Sequence, residues 1–121
     1  MANIVTLTGR MEVRPEKEKE FTVIVKELMI ELRKQDGCLN CRFYKDIEMV
    51  HTYCLIGMWN TPADAKSSFQ SDEFALLLTA FDLLKNSPEV SYMRVLYPDG
   101  LKIIRIFRNY YERALEELEK D

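Results

Sequence analysis

Hydrophobic and polar residues alternate over residues 3–13, which predicts a β-strand with one buried face. From residue 15 the apolar residues recur at the spacing of an α-helix with a single apolar stripe. This stripe consists of Phe21, Ile24, Val25, Leu28 and Leu32. We therefore expect a strand over 3–13 followed by a helix over about 15–36.

The pattern then predicts a β-hairpin, a second helical region and a final strand. Residues 38–46 and 51–60 form the hairpin, with a short turn around Glu48. Thr61-Pro62 opens the helical region, which restarts at Ser71 and ends before a strand over 89–97. The order β-α-β-β-α-β is that of a ferredoxin-like α+β domain. Its four-stranded antiparallel sheet should carry both helices on one face.

The third predicted strand is apolar on both faces, since side chains of a strand point alternately to its two sides. One face carries Tyr53, Leu55 and Trp59, and the other carries Cys54, Ile56 and Met58. One layer of helices covers only one of these faces, and a second copy of the sheet would cover the other. We therefore expect a dimeric α+β barrel, with a cavity between the sheet and the helices.

The tail after Pro98-Asp99-Gly100 has the pattern of a third amphipathic helix. Its apolar positions are Ile103, Ile104, Phe107, Tyr111, Ala114, Leu115 and Leu118. We expect a ferredoxin-like domain over 1–98, with 99–121 as a helical extension of that domain. This helix would pack on its own domain or reach across the dimer, and the alternative is recognition of a separate partner.

The charged residues indicate which partners the protein could bind, and they say little about its fold. The chain has 17 basic and 20 acidic residues, interspersed, with a net charge of −3. Without a basic stripe to neutralise phosphates, nucleic acid is not expected as a partner. No stretch resembles a signal peptide or has the roughly 20 apolar residues of a membrane span. We expect a cytoplasmic protein with no membrane partner.

Cys38 and Cys41 form a C-x-x-C sequence, and Cys54 is the third cysteine. A redox motif needs a helix N-terminus that lowers the thiol pKa, whereas this pair lies in a predicted strand. No second C-x-x-C and no histidine pair at helical spacing completes a zinc site. We expect small buried apolar side chains here, and no metal.

Four short motifs resemble the antibiotic biosynthesis monooxygenase family of small dimeric ferredoxin-like proteins, and their order and spacing carry the likeness over residues 3–97. They are Val13-Arg14-Pro15-Glu16-Lys17 leading to Phe21, Gly37-Cys38-Leu39 before Tyr44, Leu55-Ile56-Gly57-Met58-Trp59-Asn60-Thr61, and Ser71-Asp72-Glu73-Phe74 with Leu77-Leu78. The tail beyond Asp99 lies outside the resemblance.

The resemblance implies oxidation of a small electron-rich aromatic or quinol-like molecule by O2, without flavin, haem or metal. The substrate would lie between the sheet and the helices, close to the tryptophan that ends the third strand, here Trp59. A bound phenolate can itself give an electron to O2, while the protein supplies orientation, dryness and stabilisation of the anion. The resemblance also implies a homodimer or a higher homo-oligomer.

This chain departs from some members of the family at two positions. An asparagine of the first strand aligns with Gly9, and a histidine of the second helix, present in haem-degrading relatives, aligns with Ser68. The single histidine, His51, begins the third strand, so a haem ligand is not expected. These departures favour the alternative function, a dimeric module that binds a small molecule without catalysis.

Arg42, Tyr44 and Tyr53 are the polar candidates for substrate binding. If the hairpin turns at Glu48-Met49, Arg42 and Tyr44 share a face with Tyr53 and the candidate catalytic residue, Trp59. Arg42 could then stabilise a phenolate and Tyr44 could relay a proton. A register shift of one residue would move both to the other face, where a salt bridge and a dimer contact are the alternatives.

Two phenylalanines of the second helical region, Phe69 and Phe74, complete the candidate site. Their positions suit the core of the domain, and either could also line a cavity beneath the helices. We include both as candidate substrate-binding residues.

Overall fold

The computed structural model describes residues 3–119, apart from the side chains of 110–112, 114 and 115. The strands are β1 (Val5–Glu12), β2 (Cys38–Lys45), β3 (Thr52–Trp59) and β4 (Glu89–Arg94). The helices are α1 (Glu18–Arg33), α2 (Pro62–Phe69), α3 (Asp72–Ala80) and α4 (Gly100–Glu119), with 3-10 turns at Pro15–Lys17 and Phe81–Leu83.

The sheet has the strand order β2-β3-β1-β4, and every neighbouring pair is antiparallel. This is the ferredoxin-like arrangement, which confirms the predicted fold class. In its centre, Gly9 of β1 lies between Leu55 of β3 and Val90 of β4. A glycine therefore lies level with two apolar side chains on the helical side of the sheet.

Helices α1, α2 and α3 cover one face of the sheet. The apolar stripe of α1 is buried through Phe21, Val25, Leu28 and Leu32, which follow helical spacing. This stripe meets the inward residues of β1 and β3, among them Val5, Met11 and Leu55. The core thus lies between a single helical layer and one face of the sheet.

Two side-chain caps set the break between α2 and α3. The hydroxyl of Thr61 accepts a hydrogen bond from the amide of Asp64 (3.1 Å), which starts α2 just before Pro62. The hydroxyl of Ser71 accepts one from the amide of Phe74 (3.2 Å), which starts α3. These caps place Phe69 at the end of one helix and Phe74 in the first turn of the next.

The register of the β2–β3 hairpin corrects the sequence prediction. Lys45 pairs with Tyr53, so Tyr44 lies opposite Cys54 and Arg42 opposite Ile56. Both side chains are therefore on the face away from Tyr53 and Trp59, and the predicted shared face was wrong. The connection runs over residues 46–51. Within it, the Asp46 carboxylate accepts hydrogen bonds from the amides of Glu48 (2.8 Å) and Met49 (3.0 Å).

The other face of the sheet is open in the part of the chain that the structure describes. Cys54, Ile56 and Met58 of β3 are only partly buried there, and Tyr44 and Met93 are about half exposed. This surface lies opposite the helical layer and is largely apolar along β3. The expectation that both faces of β3 are apolar is confirmed.

Helix α4 follows β4 and is exposed along its described length. It forms no extensive contact with another helix or strand of residues 3–119. The side chains of Tyr111, Ala114 and Leu115, named in the sequence pattern, lie outside the described ones. Within the described residues, none of the helices combines the length and apolar character needed to cross a membrane.

Candidate functional site

A small cavity of about 130 Å³ lies between the sheet and the helical layer. Its floor is formed by side chains of three strands, namely Leu7, Leu55 and Val90, together with Gly9. Its roof is formed by Phe69, Phe74, Leu78 and Phe81. All of the lining residues are apolar. The half-exposed Leu78 and Val90 lie where α3 approaches β4, at the outer side of the cavity.

The size and lining of the cavity suit a single aromatic ring. An engineered cavity of about 150 Å³ lined by aliphatic and phenyl groups stays dry and binds benzene. The present cavity is close to that volume and is rich in phenyl rings. It provides dispersion contacts for such a ring, and none of its side chains could give or take a proton.

Phe69 is the central ring of an aromatic cluster beside the cavity. It meets Trp59 edge-on with 5.1 Å between ring centroids, Phe74 at 5.0 Å and Tyr92 at 5.7 Å. These separations are typical of favourable aromatic pairs. Phe69 and Phe74 both line the cavity, as the sequence allowed, whereas the sequence did not single out Tyr92 as a neighbour of the site.

Gly9 leaves open the space that forms the cavity. A β-carbon at this position would have Leu55 Cβ at 3.9 Å and Val90 Cγ2 at 4.0 Å as its nearest neighbours, which is ordinary contact. A side chain at position 9 would therefore fit, and a larger one would occupy the cavity. The absence of a side chain at Gly9 thus provides part of the cavity's volume.

Trp59 is almost fully buried, with 1% of its surface exposed. Its indole N–H finds no hydrogen-bond acceptor among the described residues, although a buried Trp N–H usually has one. Trp59 does not line the cavity, and its contact with the cavity is made through Phe69. Trp59 therefore lies near the space between sheet and helices, as predicted, but Phe69 separates it from the cavity.

Ser68 has a structural role between α2 and the segment that precedes β2. It is 3% exposed, and its hydroxyl donates to Gln35 Oε1 at 2.5 Å. Gln35 lies in the segment between α1 and β2, so this bond ties α2 to that segment. The serine hydroxyl is directed to this contact.

Tyr53 lies on the helical face of the sheet, at the opposite end of β3 from Trp59. Its ring stacks on Phe43 with 4.9 Å between centroids, and its hydroxyl donates to Glu18 Oε1. Burial, reinforced by the hydrogen bond to Glu18, raises the pKa of Tyr53 to about 12. The phenol is thus held protonated in a structural contact and does not face the cavity.

Glu18 is the centre of this second cluster, and sequence reasoning did not identify it. His51 Nδ1 lies 2.5 Å from Glu18 Oε2, and Lys45 Nζ lies 3.5 Å from Glu18 Oε1. The hydrogen bonds from Tyr53 and then His51 lower the pKa of Glu18 to about 2. His51 has a positive φ of 56°, so the contact forms at a left-handed turn that the sequence did not reveal.

Arg42 and Tyr44 do not join either cluster. Arg42 is exposed, and its Nε donates to Asn40 Oδ1 at 3.1 Å on the open face of the sheet. Tyr44 is exposed on the same face. The substrate-binding roles suggested for them depended on a shared face with Tyr53 and Trp59, and the hairpin register removes that basis.

The C-x-x-C cysteines are not activated thiols. Cys41 is buried, with its sulfur 3.5 Å from Met29 Sδ, and burial raises its pKa to about 11. Burial also raises the pKa of Cys38. A thiolate is the reactive form, so these two positions favour a packing role.

A larger concavity of about 690 Å³ runs along the outer side of α1 and α3. It is an open groove that includes the carboxylates Glu20, Glu27, Glu31 and Glu73. It lies outside the space between sheet and helices and contacts neither Trp59 nor Phe69. The smaller inner cavity is therefore the better candidate site, because its lining is wholly apolar and it adjoins the aromatic cluster.

The fold and the cavity define a ferredoxin-like α+β domain with a small apolar site beneath its helices. Residues 4–77, more than half of the chain, match the family model for antibiotic biosynthesis monooxygenases. The chain belongs to this family. The matched region contains β1 to α2 and most of α3, while β4 and α4 lie beyond it.

One relative in sequence shows how far the similarity extends. The chain is 23% identical over 92 residues to the uncharacterized protein sll1783 of Synechocystis, covering 75% of this chain and 63% of that protein. This chain thus spans less than two thirds of that relative's length.

Solved structures share the fold at low identity. A conserved protein from Methanosarcina mazei Go1 is 22% identical, with a TM-score of 0.72 over 77% of this chain and 93% of its own. A variant of SnoaB, a cofactor-independent oxygenase from Streptomyces nogalater, is 17% identical, with a TM-score of 0.70 over 81% and 98% of the two chains.

Proposed function

We propose that this protein binds a small phenol or quinol in the cavity beneath its helices and oxidises it with O2, without a resident cofactor. Membership of the monooxygenase family and structural likeness to a protein described as a cofactor-independent oxygenase support the proposal. The observation that carries it is an apolar, phenyl-lined cavity of single-ring size.

The proposed reaction balances with the substrate as the only electron donor. A phenol and O2 give a quinone and water: one oxygen atom bonds to a ring carbon, and the other leaves as water with two hydrogen atoms from the substrate. The four electrons taken up by O2 all come from the aromatic molecule. The protein's share is to hold the ring in a dry space next to O2, itself a small apolar molecule.

In this proposal Phe69 and Phe74 hold the aromatic ring, and Trp59 is the candidate catalytic donor. The buried indole N–H of Trp59 has no acceptor among the groups that the structure describes, so a phenolate oxygen would satisfy it. For this contact the ring of Phe69 must move aside, because it separates Trp59 from the cavity. Tyr53, Arg42 and Tyr44 have no part in this proposal.

Oxygen uptake with a panel of phenols and quinols, corrected for autoxidation, tests the proposal. Gly9→Val places a side chain in the cavity and should abolish uptake. Thr8→Val puts the same side chain on the open face of the same strand and should leave uptake unchanged. Trp59→Phe removes the N–H and should lower the rate about tenfold or more. Uptake that persists in Gly9→Val would rule out this cavity as the site.

Binding without turnover is the second candidate function. It is favoured by a cavity lining without any titratable or hydrogen-bonding side chain, since such a site offers no base for a phenol. Titration of the protein with the same panel, followed by the fluorescence of its single tryptophan, distinguishes the two. Saturable binding that is lost in Gly9→Val, together with no oxygen uptake, would establish this second function.

We also propose that a second copy of the chain covers the open face of the sheet. The proposal rests on the partly exposed Ile56 and Met58 in the centre of that face and on the half-exposed Tyr44 and Met93 beside them. A contiguous exposed apolar surface of this kind is typical of interaction sites. A face-to-face pair of sheets is the dimeric α+β barrel that the sequence predicted.

A further inference from the structure

Helix α4 is an amphipathic helix whose apolar residues have no covering element in the described part of the chain. It has 20 residues, which corresponds to a length of about 30 Å. Leu101, Ile104, Phe107 and Leu118 are each more than half exposed. Isolated helices of this kind are marginal in water, and most helices in proteins are stabilised by packing of their apolar face. The apolar residues of α4 therefore call for a partner.

The charges of α4 are separated along its length. Residues 100–109 contain Lys102, Arg105 and Arg108 and no acidic residue. Residues 110–119 contain four glutamates and one arginine, with Glu116, Glu117 and Glu119 in the last turn. This arrangement opposes the helix dipole, which favours acidic residues at the N-terminus and basic residues at the C-terminus. Asp99, which accepts a hydrogen bond from the Lys102 amide at 3.1 Å, is the one acidic group placed favourably at the start.

An antiparallel copy of the same helix satisfies both features. At each end of the pair, the basic half of one helix would lie beside the acidic half of the other. The two apolar stripes would face each other. A parallel copy would bring like charges together at both ends. We propose that α4 pairs in an antiparallel manner with α4 of a second copy of this chain.

Other occupants fit the charge pattern less well. An anionic membrane surface would attract the basic half of α4 and repel the acidic half. The sheet face of a second copy offers apolar area, yet its mixture of Thr6, Thr8 and Arg10 from β1 gives no charge gradient that matches the helix. The complementary charges both lie within α4. The two helices could therefore pair within one dimer formed through the sheets, or they could connect two such dimers.

Disulfide trapping in the full-length chain tests the pairing. One variant carries Leu101→Cys and another carries Leu118→Cys, and the two are mixed and oxidised mildly. Mass spectrometry of the linked peptides separates these thiols from Cys38, Cys41 and Cys54. Random association of equal amounts gives the 101–118 link about twice the yield of either homotypic link, and antiparallel pairing predicts a ratio far above that.

Charge reversal provides the second arm. Adding Lys102→Glu and Arg105→Glu to the Leu101→Cys chain should lower the yield of the 101–118 link about fivefold, since two attractive pairs become repulsive. Adding Glu116→Lys and Glu117→Lys to the Leu118→Cys chain should then restore it. Lys19→Glu with Lys26→Glu on α1 changes the net charge equally and should have no effect. A 101–118 link at no more than about twice the yield of each homotypic link, or no response to charge reversal, would overturn the proposal in favour of another occupant.

Discussion

The indole ring of Trp59 lies against the α-carbon of Gly57, two residues earlier on the same face of β3. A β-carbon at Gly57 would be 2.6 Å from Trp59 Cη2 and 2.9 Å from Cζ3, both closer than packed atoms allow. The largest side chain of the core is thus accommodated by the smallest residue of its own strand. The absence of a side chain at position 57 determines how Trp59 can pack beneath Phe69.

Gly57→Ala should destabilise the protein by about 2 kcal/mol, because the buried indole has little room to move and the added methyl group overpacks the core. Urea unfolding followed by the emission of Trp59 measures both the stability and the environment of the ring. Gly9→Ala is the matched control, since its β-carbon meets nothing closer than 3.9 Å. If the two variants proved equally stable, the packing of Trp59 would not depend on Gly57.

Phe69→Leu should enlarge the cavity toward Trp59 at a cost of about 1.5 kcal/mol. The variant should bind a two-ring ligand such as a naphthol, which exceeds the native volume of about 130 Å³. Calorimetric titration with phenol and with naphthol measures this change in preference. Phe43→Leu removes a ring from the Tyr53 cluster, away from the cavity, and should retain the native preference. Naphthol binding that is equal in the two variants would contradict the assigned position of the site.

Glu18→Gln should lower the stability at neutral pH by about 1.5 kcal/mol, because it replaces the charged acceptor of Tyr53 and His51 by a neutral one. The pKa of Glu18 is about 2 in the folded protein against an ordinary value of 4.5. Its contribution is therefore complete above about pH 5 and is lost as the pH falls toward 2.

Urea unfolding between pH 2 and pH 7 should show the native and Glu18→Gln curves converging on the acid side. Glu27→Gln, at an exposed position of the same helix, should match the native protein at every pH. A difference between native protein and Glu18→Gln that stays constant down to pH 2 would show that the charge of Glu18 is not its source.

If a second copy covers the open face of the sheet, Ile56→Lys should halve the molar mass measured by light scattering in a chain that also carries Lys102→Glu and Arg105→Glu, which prevent pairing through α4. The substitution places a charge in the middle of an apolar surface, where burial without a partner is costly. Val23→Lys is the control, because Val23 is a half-exposed apolar residue on α1, on the opposite side of the molecule. An unchanged mass for Ile56→Lys would exclude this face as the dimer contact.

Local patterns were sufficient to predict the elements and their order. The alternation of β1 and the helical stripe of α1 extend over whole elements, and the caps at Thr61 and Ser71 involve neighbours in sequence. The same local logic placed Phe69 and Phe74 beneath the helical layer, and both line the cavity. These features depend on residues a few positions apart, so a single sequence contains the information.

Pairing across the hairpin was harder to predict. Arg42 and Tyr44 were assigned to the wrong face because the strands pair one residue out of the expected register, with Lys45 opposite Tyr53. A shift of one residue reverses every side chain of a strand. The turn of this hairpin brings His51 to Glu18, which is 33 positions away in sequence, so no periodic signal indicated that contact.

The sequence by itself determined a βαββαβ domain with a helical layer, an apolar second face and an amphipathic helix after the last strand. Periodicity, caps and turn residues act over a few positions, and they specify elements without reference to the rest of the chain. Only the tertiary structure decided the hairpin register, the cavity above Gly9 and the Glu18 cluster. It also decided that the indole N–H of Trp59 is buried with no acceptor among the described residues. Each of these arises where side chains from distant elements meet, and small differences in packing decide which atoms come into contact.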